Sequence, residues 1–515
     1  MERHSLLWLL LLILLTGFFF PACGNDDDDD NDSGGDDDNG TDDDDDNNDD
    51  NNDDDNNDDD DNDDDNDDSA AGGDFTATVT ANPICGISCI VTWTTSEAAS
   101  SWVEFGPADG DYALLIGTDD LTTDHRVVVV GMHASTDYKL LAVSETASKT
   151  RLESQELSFS AASLPYVWLA GDLDVYEEGR TNDGWTLTNL SVQTMEGQLA
   201  VAMYDMEGEP VWYYVPANFG ARIDLVASWV DDQYVLVGPS VQSGKRPFEI
   251  DLEGNKVWEG PVETGSGMTD DGAMHHVLHK LTNGDYITTY NDVRSNVAGD
   301  DIVEFDADLT TTWSWSFWDH LTPKAQAIGR DWTHVNTVLV DFADDIVYVN
   351  SFALSQFFKI DRTSGEILWT FGEGGDFTAD PDATYPWYGG GHGIDALGDN
   401  QFLFYDNGLV GRNFSRAIIY QLDENTMESS IIWEYKGAGS DAWYNMSLGD
   451  ADRLDNGNIL IVAGNGTQNQ SGSRFIEVTP DGEKVWQMWL YSNNQTKVSS
   501  YQADRIPALA EALDR

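Results

Sequence analysis

"IDLEGNKVW", Ile250 to Trp258, reads as a strand that ends in a tight turn and re-emerges with an apolar residue and a tryptophan. The pattern occurs six times: "YDMEGEPVW" to Trp212, "IDLEGNKVW" to Trp258, "FDADLTTTW" to Trp313, "IDRTSGEILW" to Trp369, "LDENTMESSIIW" to Trp433 and "VTPDGEKVW" to Trp486. The tryptophans stand 46, 55, 56, 64 and 53 residues apart. Self-similarity at that period, in strands joined by hairpin turns, predicts an all-β chain with a six-bladed β-propeller over residues 165–515. A second element recurs between the tryptophans, in "LTNGDYITTY", "ADDIVYVNS", "LGDNQFLFYDNG" and "LDNGNILIVAGN", each a turn feeding an inner strand. The tryptophans are then blade-to-blade packing and carry no chemistry.

Upstream, residues 74–164 alternate apolar and polar side chains in short runs broken by Ser, Thr, Gly and Asp, the pattern of a small β-sandwich. "VTWTTSEAASSWVEFG" and "GMHASTDYKLLAVS" resemble a fibronectin type III module, with Trp93 as its core tryptophan and Tyr138 as the tyrosine-corner residue. Its loops carry no charged or aromatic cluster, so the module reads as a spacer rather than a binding unit.

Residues 1–22 carry Arg3 and His4, then "LLWLLLLILL", a run too short and too promptly broken to span a bilayer, and read as a signal peptide. Ala22 before Cys23 suits a bacterial lipoprotein cleavage site, with Cys23 as the lipidated N-terminus; plain secretion is the alternative. Gly24, rather than Asp, leans toward outer-membrane sorting, facing the periplasm or the surface. Residues 23–73 are almost all Asp, Asn, Gly and Ser. The 28 aspartates from Asp26 to Asp68 supply −28 of the formal −70 and leave −42 for the rest. Such a tract buries no apolar surface and repels itself, so it reads as a disordered tether. It lacks the fixed ligand offsets of a calcium loop. The overall acidity argues against nucleic acid as a partner. Cys85 and Cys89 are the remaining cysteines. An extended strand would hold them about 13 Å apart, beyond the ~7 Å reach of a disulfide, so they pair only if Gly86 to Ser88 turn; free thiols are the alternative.

Histidine is sparse, nine in all. Three share one register: His276 stands five residues before Leu281, His392 five before Leu397, and His334 just ahead of the corresponding inner strand. Equivalent positions in different blades converge on the propeller axis, so three imidazoles should meet at one mouth of the channel. Three neutral imidazoles can hold a catalytic metal, or one can act as a nucleophile while the others donate protons and hydrogen bonds. Gly389 to Gly391 and Gly393, in "YPWYGGGHGIDAL", favour the nucleophile, because missing Cβ atoms open space for a bulky tetrahedral group.

"HHVLHKLTNGDYI", "DWTHVNTVLVD", "SQFFKIDRTSGEILWTFG", "GHGIDALGDNQFLFYDNG", "SRAIIYQLDENT", "GDADRLDNGNIL" and "FIEVTPDGEKVW" resemble the bacterial arylsulfate sulfotransferases, six-bladed propeller enzymes that move a sulfuryl group between phenols through a sulfohistidine. The resemblance implies His392 as nucleophile, His276 and His334 as proton donors and acceptors that also bind sulfuryl oxygens, and Asn336 as a further hydrogen-bond donor. It implies an aryl sulfate and a phenol as small-molecule partners, with no cofactor and no metal. No phosphate loop ending in Gly-Lys-Ser or Gly-Lys-Thr is present to hold a nucleotide-activated sulfate.

Two positions depart from the family pattern. Phe352, in "YVNSFALSQ", stands where the family carries an arginine, removing a cation expected to hold sulfuryl oxygens; Arg330, Arg412 or Arg416 are the candidates to replace it. Arg416 reads equally well as a strand-edge residue paired with carboxylates. Val277 follows His276 where Asp is usual, so the orienter of that ring is missing from its usual place. His275 and His279 fall outside the shared register and read as supporting or surface residues. The alternative functions are a non-catalytic propeller that binds aromatic or sulfated ligands or a cell-surface partner, and a metal hydrolase. The sequence gives no signal for an oligomeric state.

Overall fold

The structure is a computed structural model that describes residues 73–513 apart from 194–197, 217–225, 239–243, 266–269, 324–330, 410, 465–471 and 492–496. The signal peptide at residues 1–22, lipidation at Cys23 and the tether at residues 23–73, save its last residue, therefore lie outside the described residues. The chain is almost entirely β, and six small sheets stand in a ring: a six-bladed β-propeller.

The third blade shows the pattern. Met274–Lys280 is its inner strand, followed outward by Tyr286–Arg294, Val297–Phe305 and Thr311–Ser316. The fourth blade begins at Val335–Asp341, the fifth at Gly391–Gly398 and the sixth at Asp450–Arg453. Second strands such as Ile346–Ser351 ("IVYVNS") and Ile459–Ala463 ("ILIVA") are buried along their whole length, because neighbouring blades cover both faces. Outer strands such as Glu428–Tyr435 keep exposed positions.

All six repeat tryptophans lie on the outer strand of their blade. Five of them donate an indole N–H to the carbonyl of the second turn residue of the next blade: Trp212 to Leu252 at 3.0 Å, Trp258 to Ala307 at 3.1 Å, Trp313 to Arg362 at 2.9 Å, Trp433 to Pro480 at 2.9 Å and Trp486 to Met206 at 2.8 Å. The last of these joins the sixth blade to the first. Trp369 is the exception, its Nε1 buried without a partner among the described residues. The spacing of "turn, then Trp" therefore encodes the seam between blades, which is why it recurs.

The ring closes with both ends of the propeller sequence. Asp172–Tyr176 pairs with the outer strand Lys484–Tyr491 of the sixth blade, while Lys497–Ser499 and Ala503–Ile506 pair as inner strands with Trp185–Gln193 of the first. Glu511–Ala512 then leaves the propeller and pairs with Leu114–Val129 of the N-terminal module.

The module's six strands and Glu511–Ala512 together form one seven-stranded sheet. The sequence predicts separate strands in "CIVTWTTS" and "SWVEFG"; the structure runs them together as Cys89–Pro107, with register shifts between Thr94 and Ser101 in place of a break. Its core is continuous with that of the first blade, so Val91, Trp93 and Val129 share one apolar cluster with Leu187, Trp212 and Tyr213. Polar contacts add to it: His133 Nε2 lies 2.7 Å from Asp205 Oδ2, and Arg126 donates to both Glu253 oxygens at 2.7 and 2.6 Å. Residues read as a spacer thus act as a buttress. Cys85 and Cys89 are separate buried thiols, not a disulfide. The turn does form, with Ser88 N donating to Cys85 O at 3.0 Å, but Cys85 Sγ accepts from Tyr213 N of the first blade at 3.4 Å. Burial pushes both thiols up to about 12.

Candidate active site

Three inner strands bring the histidines in, His276 and His392 within theirs and His334 just ahead of Val335–Asp341, and each strand has a bulge at or next to its histidine. Pairing shifts between Met274 and Leu278, between Val335 and Thr337, and between His392 and Ile394. His276 (φ 58°), His334 (φ 49°) and Gly393 (φ 42°) adopt left-handed backbone there. A bulge re-aims a side chain at a cost in local strain. Here the three rings meet, with centroids 4.6 Å apart for His276 and His334 and 6.5 Å for His276 and His392. The register argument thus places three rings together as expected. Among the described residues, no group of three or more His, Cys, Asp or Glu side chains is arranged to hold a metal ion.

Each ring has its own orienting partner. His392 Nδ1 lies 2.7 Å from Asn407 Oδ1, and the Asn407 amide nitrogen donates to the carbonyls of Asn445 (3.0 Å) and Leu448 (2.9 Å). Those two bonds fix which end of the amide faces the ring. Asn407 Oδ1 can only accept, so His392 Nδ1 bears the proton and Nε2 bears the lone pair. Burial drives this imidazole down to about 3, against a smaller opposing effect of Asn407, so it is neutral near pH 7. His334 Nδ1 lies 2.6 Å from Asp331 Oδ2, and His334 N donates to Asp331 Oδ1 at 2.9 Å, leaving Nε2 as the second reactive nitrogen.

His276 is oriented through a neighbour. Its Nδ1 lies 2.9 Å from His275 Nδ1, and His275 Nε2 lies 2.9 Å from Asp300 Oδ1 and 3.2 Å from Asn291 Oδ1. Asp300 is fully buried and accepts from Thr333 Oγ1 at 2.7 Å and Val335 N at 2.6 Å. Burial alone would push its carboxyl up, but the His275 ring and these donors outweigh that and hold it below the usual carboxylate range. Burial, then the three neighbouring histidines, pull His276 well below an ordinary imidazole. The orienter missing at Val277 is therefore supplied from the other side of His276, by His275. His275 supports the cluster, as the sequence suggested; His279 is half-buried and pairs with Ile287 across the ladder.

Asn336 turns its amide away from the rings, donating to Gly391 O at 2.7 Å and accepting from Asn350 Nδ2 at 2.7 Å. It holds the backbone that leads into His392. The glycines do not open a cavity as expected. A Cβ on Gly393 would meet Asp450 of the sixth blade at 2.0 Å, one on Gly391 the Tyr388 ring at 2.9 Å, and one on Gly390 Leu409 at 2.4 Å and Phe352 at 2.8 Å. They let protein close in around His392.

Phe352 and Tyr501 stand edge-on to that ring. The Phe352 centroid is 4.9 Å from His392 and 5.3 Å from His334; the Tyr501 centroid is 5.7 Å from His392 and 5.6 Å from His276. Arg330 lies outside the described residues. Arg416 does not serve the site: it bonds Asp406 Oδ2 at 2.9 Å, Glu434 Oε2 at 2.8 Å and Tyr385 O at 2.8 Å. Arg412 is also tied to Asp406, through Nη2, and is buried with its Nε and Nη1 unpaired among the described residues. Asn407, Asp331, Asp300 and Tyr501 were not singled out from sequence. The i, i+3 spacing of Asp331 and His334 was the one legible hint.

Residues 174–502 match the arylsulfotransferase (ASST) family. The chain belongs to that family. Membership supports aryl sulfotransfer as its activity in general. No curated relative matches the chain. Solved structures similar to this arylsulfotransferase-family chain include a putative 6-phosphogluconolactonase from Bacteroides fragilis, with 10% identity, 82% of this chain and 99% of that one covered, and TM-score 0.31. Another is the periplasmic gluconolactonase of Pseudomonas aeruginosa, with 10% identity, 78% and 100% covered, and TM-score 0.35.

Proposed function

We propose that this protein transfers a sulfuryl group from an aryl sulfate to a phenol by a two-step exchange through His392. The observation that carries this reading is the Asn407 contact, which leaves the lone pair of a neutral His392 on Nε2. In the first step that lone pair attacks sulfur, the aryl C–O–S linkage breaks at S–O, and the phenolate oxygen takes a proton from a neighbouring imidazole. In the second, an acceptor phenol attacks the sulfohistidine sulfur, the S–N bond returns its electrons to Nε2, and the phenolic proton passes to an imidazole. A phenol's pKa near 10 makes acid assistance to the leaving group valuable. Phe352 and Tyr501 flank the nucleophile as aromatic walls for a flat ring. Export and anchoring through lipidated Cys23 belong to the same proposal, placing the site outside the cytoplasm.

The test is release of a coloured phenol from nitrophenyl sulfate, with and without an acceptor phenol, in wild type and His392→Ala. Acceptor-stimulated release that disappears in the variant, with a sulfated His392 peptide by mass spectrometry, is the expected result. Undiminished turnover in His392→Ala would sink the mechanism. A second reading, a propeller that binds aryl sulfates without turning them over, is favoured by Phe352 at the arginine position; it predicts saturable binding with no phenol released.

A further inference from the structure

We propose that Asp300, His275 and His276 form a proton relay that alternates between two states in the two halves of the reaction, with His275 and Asp300 as positioning residues behind the catalytic His276. This inference rests on the sulfuryl-transfer reading. The geometry is a buried line: Asp300 Oδ1 to His275 Nε2 at 2.9 Å, then His275 Nδ1 to His276 Nδ1 at 2.9 Å. His275 and Asp300 are both fully buried and His276 nearly so. Two imidazole Nδ1 atoms at that distance share one proton, since two lone pairs would repel and two N–H groups would clash.

The shared proton defines the states. With it on His275 Nδ1, His275 carries a proton on both nitrogens and is an imidazolium against the Asp300 carboxylate, and His276 is neutral with its proton on Nε2, ready to donate. With it on His276 Nδ1, His275 is neutral and His276 Nε2 holds a lone pair, ready to accept. When the donor's S–O bond breaks, His276 Nε2–H protonates the departing phenolate oxygen as the shared proton moves from His275 to His276. When the acceptor phenol attacks the sulfohistidine, its proton goes to His276 Nε2 and the shared proton moves back. Atoms and charge balance over the cycle, and the positive charge rests on His275 beside a fixed carboxylate rather than on the ring that meets substrate.

The surroundings suit this. Asp300 from the third blade's third strand, His276 on its own strand and His334 of the fourth blade, ring centroid 5.8 Å away, all face His275. Asn291 adds a neutral acceptor. His334 is occupied at Nδ1 by Asp331. An ionised Asp300, held by Thr333 Oγ1 and Val335 N, is the anion that makes a cationic His275 tolerable in a buried place.

The experiment compares the purified wild type with His275→Gln and Asp300→Asn on two donors, phenyl sulfate and nitrophenyl sulfate. Glutamine keeps hydrogen-bonding atoms but cannot shuttle a proton, and asparagine removes the charge. A lost relay should cost about 10² to 10⁴ in turnover of phenyl sulfate, whose leaving group needs the proton, and less than about tenfold on nitrophenyl sulfate, whose leaving group needs it little. Equal losses on both donors, or none, would overturn the relay and leave His275 a packing residue. Nitrogen-15 NMR of histidine-labelled protein tests it independently. The donor-free protein should show His275 protonated on both nitrogens and His276 on Nε2, with the second His275 proton lost in Asp300→Asn. A neutral His275 in the wild type overturns the relay whether or not the protein turns over any ester. Wild type that releases phenol from neither donor would instead count against the sulfuryl-transfer reading, with the NMR result judging the relay.

Discussion

His392 and Asn407 face each other across 2.7 Å, and the asparagine has no freedom to turn over because its nitrogen already serves two backbone carbonyls. The tautomer of the nucleophile is thus decided by the backbone at Asn445 and Leu448, in the loop that leads into the next blade.

Asn407→Leu should therefore lower kcat by roughly tenfold to a hundredfold while the fold persists, because Nε2 no longer holds the lone pair by default. Asn407→Asp places a carboxylate at the same atom and raises the ring from about 3. Its kcat/KM profile for nitrophenyl sulfate should then fall on the acid side at a higher pH than wild type. An unshifted acid limb would contradict this.

Phe352→Arg should strengthen the reaction. The described arginines nearest in sequence to His392, Arg412 and Arg416, both bond Asp406, and the buried His276 and His392 rings are held toward their neutral forms. One restored donor aimed at developing charge is worth about 10² to 10³ in rate. Steady-state kcat/KM for an aryl sulfate is the measurement, and a fall in it would show that the Phe352 ring itself is needed.

Asp450→Asn should stabilise the protein, and by more at pH 8 than at pH 5. Burial, then Asp504, pushes the Asp450 carboxyl up to about 7, and burial pushes Asp504 up to about 6. A carboxyl raised on folding binds its proton more tightly in the native state, so its contribution is lost as pH rises from about 4 to about 7. The amide removes that penalty, about 4 kcal/mol at most above pH 7 and less than half of that at pH 5, read as denaturant midpoints at the two pH values. His392 has the opposite sign: its depressed ring makes stability rise with pH between about 3 and 6.5.

Trp486→Phe should cost more stability than Trp369→Phe. Trp486 Nε1 donates to Met206 O across the closing seam, whereas Trp369 Nε1 is a buried donor with no partner among the described residues. Losing the first strands a carbonyl, at about 1 to 3 kcal/mol. Losing the second removes an unsatisfied group and costs only packing. Chemical denaturation of the two variants decides it.

The blade count was legible because each seam uses one local pattern, a turn followed by a tryptophan, repeated along the chain. The meeting of His276, His334 and His392 was legible for the same reason: equal register in equal blades converges. What escaped was set by contacts between blades and strands. Asn407 holds His392 from the next strand, Asp300 reaches His276 only through His275, and Tyr501 arrives from more than 100 residues downstream. No local period marks such partners. The glycines near His392 were read from what glycine permits, and the space they leave is filled by Asp450, Tyr388 and Leu409. Cys85 and Cys89 turned as pairing requires, but Cys85 lies against the backbone of the first blade.

The inner strand of the first blade is made from residues 497–506, and Tyr501 within it walls the histidine cluster. In order of synthesis these residues follow every other strand of the ring. His276, His334 and His392 can all have been translated while the ring is still open and the first blade lacks its innermost strand. A chain that stopped before Lys497 would carry the reactive imidazoles without the Tyr501 wall or the first blade's inner strand. The reactive site is therefore finished only once the last strand of the ring has been made, and a product truncated before that strand should be both unstable and inert.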